Sequence, residues 1–138
     1  MLNVLKLALA LIVGLVCGSV VNMGILFAGP MLIPPPAGAD MTTAEGLTAA
    51  MPLLRPKHFL APFLAHALGT LVGAIIAALL AVSHRAVLAY AVGALFLVGG
   101  IAASMMIPAP TWFIALDLLT AYIPMAWLGL VVANRLKP

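Results

Sequence analysis

Each of four long apolar stretches carries a polar side chain near one end, and the four are Asn22, His66, Ser104 and Asp117. His66 and Asp117 are the two that could do chemistry in an apolar interior. An ionised carboxylate surrounded by hydrocarbon is costly without a partner, and an imidazole can both donate to it and change protonation near neutral pH. A His66–Asp117 pair open to one membrane face would suit proton or cation passage or the binding of a small ligand, with Asn22 and Ser104 supplying neutral hydrogen bonds. The plainer reading stands beside it. The same residues would serve as bridges between helices, each hydrogen bond contributing roughly 0.6 kcal/mol, in a scaffold or accessory subunit of a membrane complex.

Other chemistries are less well supplied. Ser104, His66 and Asp117 have the residue types of a hydrolytic triad, which keeps a lipid-modifying membrane enzyme as a third reading. Triad function demands a geometry that spacing does not show, so no catalytic residue is assigned. Met23, Met31, Met41, Met51, Met105 and Met106 fall toward the same side as His58 and His66, and thioethers would suit Cu(I). They lack a tight ligand spacing, and methionine is also a flexible filler of apolar gaps, so neither a metal nor another cofactor is expected. Arg55, Lys57 and His58 form a basic group at the mouth of the second stretch. They could hold lipid phosphate or attract anions, although anchoring a helix at the interface explains them as well.

The stretches that must position these side chains follow from composition. Of 138 residues, 66% are hydrophobic and 7% are charged, too little polar surface for a water-soluble globule. The formal charge of +3 comes from six basic and three acidic residues, so it reflects scarcity of acids and offers no stripe for nucleic acid. Cys17 stands alone and reads as a small hydrophobe inside the first stretch. Lys6 and the run Leu7 to Cys17 imitate a lipoprotein signal, but Val16 is large for the position before a lipidated cysteine. The run also continues apolar to Phe27, long enough to span a bilayer.

Four spans are predicted, at about 2–27, 59–82, 86–107 and 112–133, in a single membrane domain covering 1–138. The short links at Ser83-His84-Arg85 and Pro108-Ala109-Pro110 predict antiparallel neighbours. The loop 28–58 is too long to remain structureless. Thr42-Thr43-Ala44-Glu45 has capping-box spacing with Thr42 as N-cap, and Leu47, Ala50 and Met51 follow at helical spacing before Pro52. A short interfacial helix is therefore predicted there, joined to the first span by the extended Pro34-Pro35-Pro36 arm.

Four spans place both termini and the Ser83–Arg85 link on one side with Lys6, Arg85, Arg135 and Lys137, against Arg55 and Lys57 on the other. The positive-inside rule then predicts cytoplasmic termini and an extracytoplasmic loop, with Trp112 and Trp127 as anchors at opposite ends of the fourth span. At 1.5 Å per residue, Asn22, His66, Ser104 and Asp117 all fall roughly 5 to 10 Å below the loop-side face. Rotation agrees. Gly14, Gly18 and Asn22 share a face, as do His66, Gly69 and Gly73, then Gly93, Gly100 and Ser104, and finally Asp117, Thr120 and Pro124. Small residues mark close helix contacts in membranes. Gly14-x-x-x-Gly18 and Gly69-x-x-x-Gly73 offer two such faces, for packing within the chain or for a homo-oligomer.

The strings Pro34-Pro35-Pro36-Ala37-Gly38-Ala39-Asp40, Ala65-His66-Ala67-Leu68-Gly69-Thr70-Leu71-Val72-Gly73 and Ile107-Pro108-Ala109-Pro110-Thr111-Trp112-Phe113 resemble those of a group of small, uncharacterised four-span bacterial membrane proteins. The resemblance covers nearly the whole chain. It implies a bacterial inner membrane, lipid as the surrounding partner and four spans, and it implies no activity. The expectation is an all-α antiparallel bundle of four transmembrane helices whose loop caps a polar pocket.

Overall fold

The computed structural model describes residues 1–137, and among them the regular structure is entirely helical. The helices are α1 (Leu2–Leu32), α2 (Ala44–Ala50), α3 (Leu60–Leu80), α4 (Arg85–Met106), α5 (Thr111–Thr120) and α6 (Ile123–Leu136), with single 3-10 turns at Met51–Leu53 and Pro56–Phe59. Four helical segments are long and apolar enough to cross a membrane: Leu2–Leu32, Pro56–Leu80, Arg85–Met106 and Thr111–Leu136.

Small residues decide how these segments meet. The buried positions of α3 are Ala65, Ala67, Gly69, Thr70, Gly73, Ala74, Ala77 and Ala78, so this helix admits close neighbours along its length. A Cβ placed at Gly14 of α1 would stand 2.6 Å from the Gly73 carbonyl oxygen, and one at Gly18 would stand 2.6 Å from that of Gly69. Gly29 rests on Ala61. These contacts advance along α1 as they retreat along α3, so the two helices run in opposite directions. Both glycine pairs are thus occupied inside the chain.

On another side of α3, a Cβ at Gly129 of α6 would meet the Ala74 methyl at 2.8 Å and the Leu71 carbonyl at 3.0 Å. His66 lies beside Asp117 of α5. Those contacts rise together, so α3 runs in the same direction as α5 and α6. In α4, Gly93 rests on Ala126 and Gly100 on Tyr122. At the other end of the molecule the Arg85 guanidinium donates to the Lys137 carbonyl. The Lys137 ammonium donates to the Leu79 carbonyl at 3.3 Å.

Three boundaries depart from expectation. The first helix continues past Phe27 to Leu32 with Pro30 inside it. Pro30 lacks the N–H that would satisfy the Leu26 carbonyl, yet the helix persists to Leu32, with Gly29 buried against Ala61 of α3. The fourth span, expected as one helix, breaks at Ala121–Tyr122. Pro124 removes the donor for the Thr120 carbonyl, and Tyr122 turns out of helical geometry at φ −118°, ψ −77°. The break also leaves Pro124 exposed, away from the face it was expected to share with Asp117.

In the loop, Thr43 replaces Thr42 as the cap of α2, accepting from the Gly46 N–H at 3.0 Å. Thr42 is engaged elsewhere: its N–H and hydroxyl donate to Asp40 Oδ1 at 2.8 and 2.6 Å. The Thr43 hydroxyl donates to Asp40 Oδ2 at 3.0 Å. Glu45 forms no reciprocal capping bond among the described residues.

Packing predicts that Gly14→Ala and Gly18→Ala destabilise the fold by about 1–3 kcal/mol through overpacking against backbone. Nothing stands within 4 Å of a Cβ at Gly24 or Gly99. Gly24→Ala and Gly99→Ala are accordingly neutral, or stabilising by up to about 1 kcal/mol through helix propensity; unfolding in detergent compares the four. Hydrogen bonds from the Thr42 hydroxyl, then from the Thr42 N–H and the Thr43 hydroxyl, hold the Asp40 carboxyl below its ordinary value. Since folding depresses this acid's pKa, its support of the loop is complete above the ordinary carboxylate range and is lost as pH falls through the depressed value. A carbon-detected NMR titration will show Asp40 protonating below an ordinary aspartate, and Thr42→Ala will move it back up.

Candidate functional site

The loop between α1 and α3 roofs a cavity of about 430 Å³. Its lining is apolar almost throughout. Leu26, Gly29 and Pro30 come from α1, Pro35, Met41, Leu47, Met51 and Leu54 from the loop, and Phe113, Ile114 and Leu118 from α5. Phe59 and Phe113, whose ring centroids lie 4.8 Å apart, bring aromatic surface to it. The polar exceptions are His58, His66, Ser104 and Asp117.

His66 and Asp117 touch. The imidazole Nδ1–H donates to both carboxylate oxygens, at 2.9 Å to each. This contact is the chain's one carboxylate ion-pair geometry among the described residues, and its charge depends on the protonation of His66. The Asp117 side chain is only 6% exposed, while that of His66 keeps 21% of its surface. The shielded carboxylate therefore orients the more accessible ring. With Nδ1 committed to Asp117, the ring nitrogen left free on His66 is Nε2.

A third member was not expected. The Tyr122 hydroxyl donates to Asp117 Oδ2 at 3.0 Å, and its ring lies near-parallel to His66 with centroids 5.7 Å apart. On a continuous helix a residue five positions on would lie roughly 140° around from Asp117. The break at Ala121–Tyr122 brings it back, and Gly100 leaves room, since a Cβ there would overlap the phenol. Pro124 shortly beyond was the available hint of that break. Thr70, fully buried one turn beyond His66, donates to the His66 carbonyl at 2.8 Å.

The other expected members separate. Ser104 lines the cavity, but its hydroxyl donates to the Ile101 carbonyl of its own helix at 2.7 Å, so no Ser–His hydrogen bond forms. Asn22 lies against Gly69 at the α1–α3 contact and outside the cavity lining, with its side-chain oxygen buried and unpartnered. Of the basic group at the mouth, only His58 lines the cavity; its Nδ1 accepts the Arg55 backbone N–H at 2.9 Å, and Arg55 and Lys57 are exposed outside. Met41 and Met51 line the cavity, whereas Met23, Met31, Met105 and Met106 face outward. The methionines do not gather around one point.

The arrangement can hold a proton or a positive charge. With His66 protonated, imidazolium and carboxylate sum to zero; with His66 neutral, the pair carries one negative charge in an apolar enclosure, where charge interactions are strong. The chain matches no family model, no curated protein and no solved structure. Geometry alone predicts that His66 and Asp117 act as a unit. A double-mutant cycle of His66→Ala and Asp117→Ala, read by unfolding in detergent, will give a coupling energy of about 0.5–3 kcal/mol; additive losses would show that the 2.9 Å contact does not couple the two residues energetically.

Proposed function

We propose that this chain is a multi-pass protein of a bacterial inner membrane that binds a small molecule or ion in the loop-roofed cavity and moves it in a proton-linked manner. In this reading the four spans form an antiparallel bundle, with both termini in the cytoplasm and α2 at the extracytoplasmic surface. Lys6, Arg85, Arg135 and Lys137 against Arg55 and Lys57 support that orientation. Trp112 and Trp127, both exposed near opposite ends of the fourth span, suit the two interfaces.

One observation carries the reading: a buried carboxylate, shared by a histidine and a tyrosine, sits on the wall of an apolar cavity beside a broken span. Ionisable groups within membrane helices are retained where they handle protons or substrates. Interrupted helices mark binding sites in transporters, because unwound backbone and freed side chains meet there. A bridging role alone would need only the hydrogen bonds. It would not need a cavity in contact with both members of the pair.

In the proposed cycle the roof formed by Met41, Leu47, Met51 and Leu54 admits the ligand. Its polar end reaches His66 and Asp117 while the apolar walls cover its body. Asp117 holds the ring in one tautomer, and Nε2 exchanges the proton. Ser104 and Asn22 support the helices.

The test is a comparison of folding with flux. His66→Ala, Asp117→Asn and Tyr122→Phe are purified, their unfolding midpoints measured, and proton movement followed in vesicles under an imposed pH gradient. The expected result is folded protein in all three cases, with proton movement lost in the first two and reduced in Tyr122→Phe. Wild-type vesicles no more permeable to protons than empty ones, together with unfolding of the first two variants, would leave only a scaffold.

A further inference from the structure

We infer that the cavity selects an organic cation with an apolar body, and that this cation and a proton compete for the His66–Asp117 pair. The inference rests on the binding reading above and names its ligand class. The charge of the lining decides the class. Asp117 places a carboxylate at the cavity wall, and among the described residues no lysine or arginine lines the cavity. Arg55 and Lys57 lie exposed outside it. An anion settling beside the pair would face Asp117 with only His66 to offset it. A positive group finds a carboxylate there, and the rings of Phe59 and Phe113 farther along the same cavity. Carboxylate with aromatic surface is the combination that recognises substituted ammonium ions, since ring faces attract cations even when these have no N–H to donate.

The walls decide the rest. A bare metal cation would have to exchange its hydration shell for oxygen ligands, and the lining supplies few. An ammonium carrying an apolar substituent loses far less on entering and buries its body against Leu26, Leu47, Met51 and Ile114.

Competition with protons follows from counting charge. Every titratable group that faces the pair can be named. His66 comes from α3, Asp117 from α5, Tyr122 from the break before α6, and His58 lies farther up the same cavity. Neither α1 nor α4 contributes a titratable side chain to the lining among the described residues. When His66 carries two ring protons, the pair is neutral. When the Nε2 proton leaves to water, one negative charge remains and one monovalent cation restores neutrality. The exchange is one for one, with no other charge needed. His66 keeps its Nδ1–H toward Asp117 throughout, so the pair need not separate to turn over.

The experiment uses the full chain in detergent and three probes of similar shape: benzyltrimethylammonium, neutral benzyl alcohol and anionic benzylsulfonate. Calorimetric titration in buffers of different ionisation enthalpy measures both affinity and protons released. Expected is binding of the ammonium in preference to the other two. Its affinity should rise by about tenfold per pH unit wherever binding displaces one proton, and stay level where binding displaces none. One proton should be released per cation bound in the sloping range. Asp117→Asn should weaken the ammonium about tenfold or more. The proton count is read on the wild-type chain and holds even if that variant folds poorly. Preference for benzyl alcohol without proton release, or for benzylsulfonate, would overturn the cation assignment while leaving a ligand site in place. No binding of any probe would overturn both the class and the cavity's role.

Discussion

A carboxylate held in an apolar interior must be surrounded by donors, and the construction around Asp117 answers that demand from two sides. His66 reaches it across from α3, and Tyr122 reaches it from the same span, five residues on. The second contact is not available to an unbroken fourth helix, on which Tyr122 would lie roughly 140° around from Asp117. The helix must open at Ala121–Tyr122 so that the phenol swings toward the carboxylate, and α4 must be bare at Gly100 so that the ring has somewhere to lie. A helix break before Pro124, a glycine and a tyrosine are thereby brought together around one buried carboxyl group.

The same economy of volume runs through the rest of the molecule. Lipid tails are as apolar as leucine, so helices in a membrane gain little from hiding apolar surface from one another and associate through close van der Waals contact. That favours glycine and alanine where helices meet. Gly14 and Gly18 let α1 approach the backbone of α3 at Gly73 and Gly69, while Gly129 does the same for α6 on another side. With α3 gripped from both sides, the helix bearing His66 has little freedom to rotate or slide. The direction of the imidazole relative to Asp117 is set by backbone packing several turns away as well as by the hydrogen bond itself.

How much of this was legible in the residues depends on the kind of information required. Spans follow from runs of about twenty apolar residues, a property of composition, and four helices of that kind are present. Depth follows from counting along a helix, and counting placed His66 and Asp117 at one level. Depth does not fix which helices are neighbours. Asn22 shares that level yet lies at the α1–α3 contact outside the cavity, because the glycine stripe it follows turns it toward α3. Ser104 illustrates a second limit: a serine within a helix can satisfy itself on a carbonyl of the preceding turn, and this one does. Tyr122 was missed for a third reason. Helical periodicity assumes the helix continues, and the residue that matters is the one at which it stops.

Above and below Asp117 the cavity is built by different forces, and that difference bears on how a ligand could enter. The floor combines glycine-to-backbone packing with a directional hydrogen-bonded cluster, both intolerant of small displacements. The roof is otherwise constituted. Side-chain hydrogen bonds in the loop join close neighbours only, as in Asp40 with Thr42 and Thr43, Thr48 with the Ala44 carbonyl, and the Arg55 N–H with His58. These bonds keep α2 and its flanking turns in shape as a local unit. Toward the cavity that unit presents the apolar side chains of Met41, Leu47, Met51 and Leu54, and apolar surface imposes no preferred direction on how it is covered. A roof that is internally bonded but docked through apolar surface can lift and reseat without breaking its own hydrogen bonds. Access to Asp117 can therefore vary while the geometry of the His66–Asp117–Tyr122 cluster does not, and that separation is what the proposed ligand binding and proton exchange would require of the site.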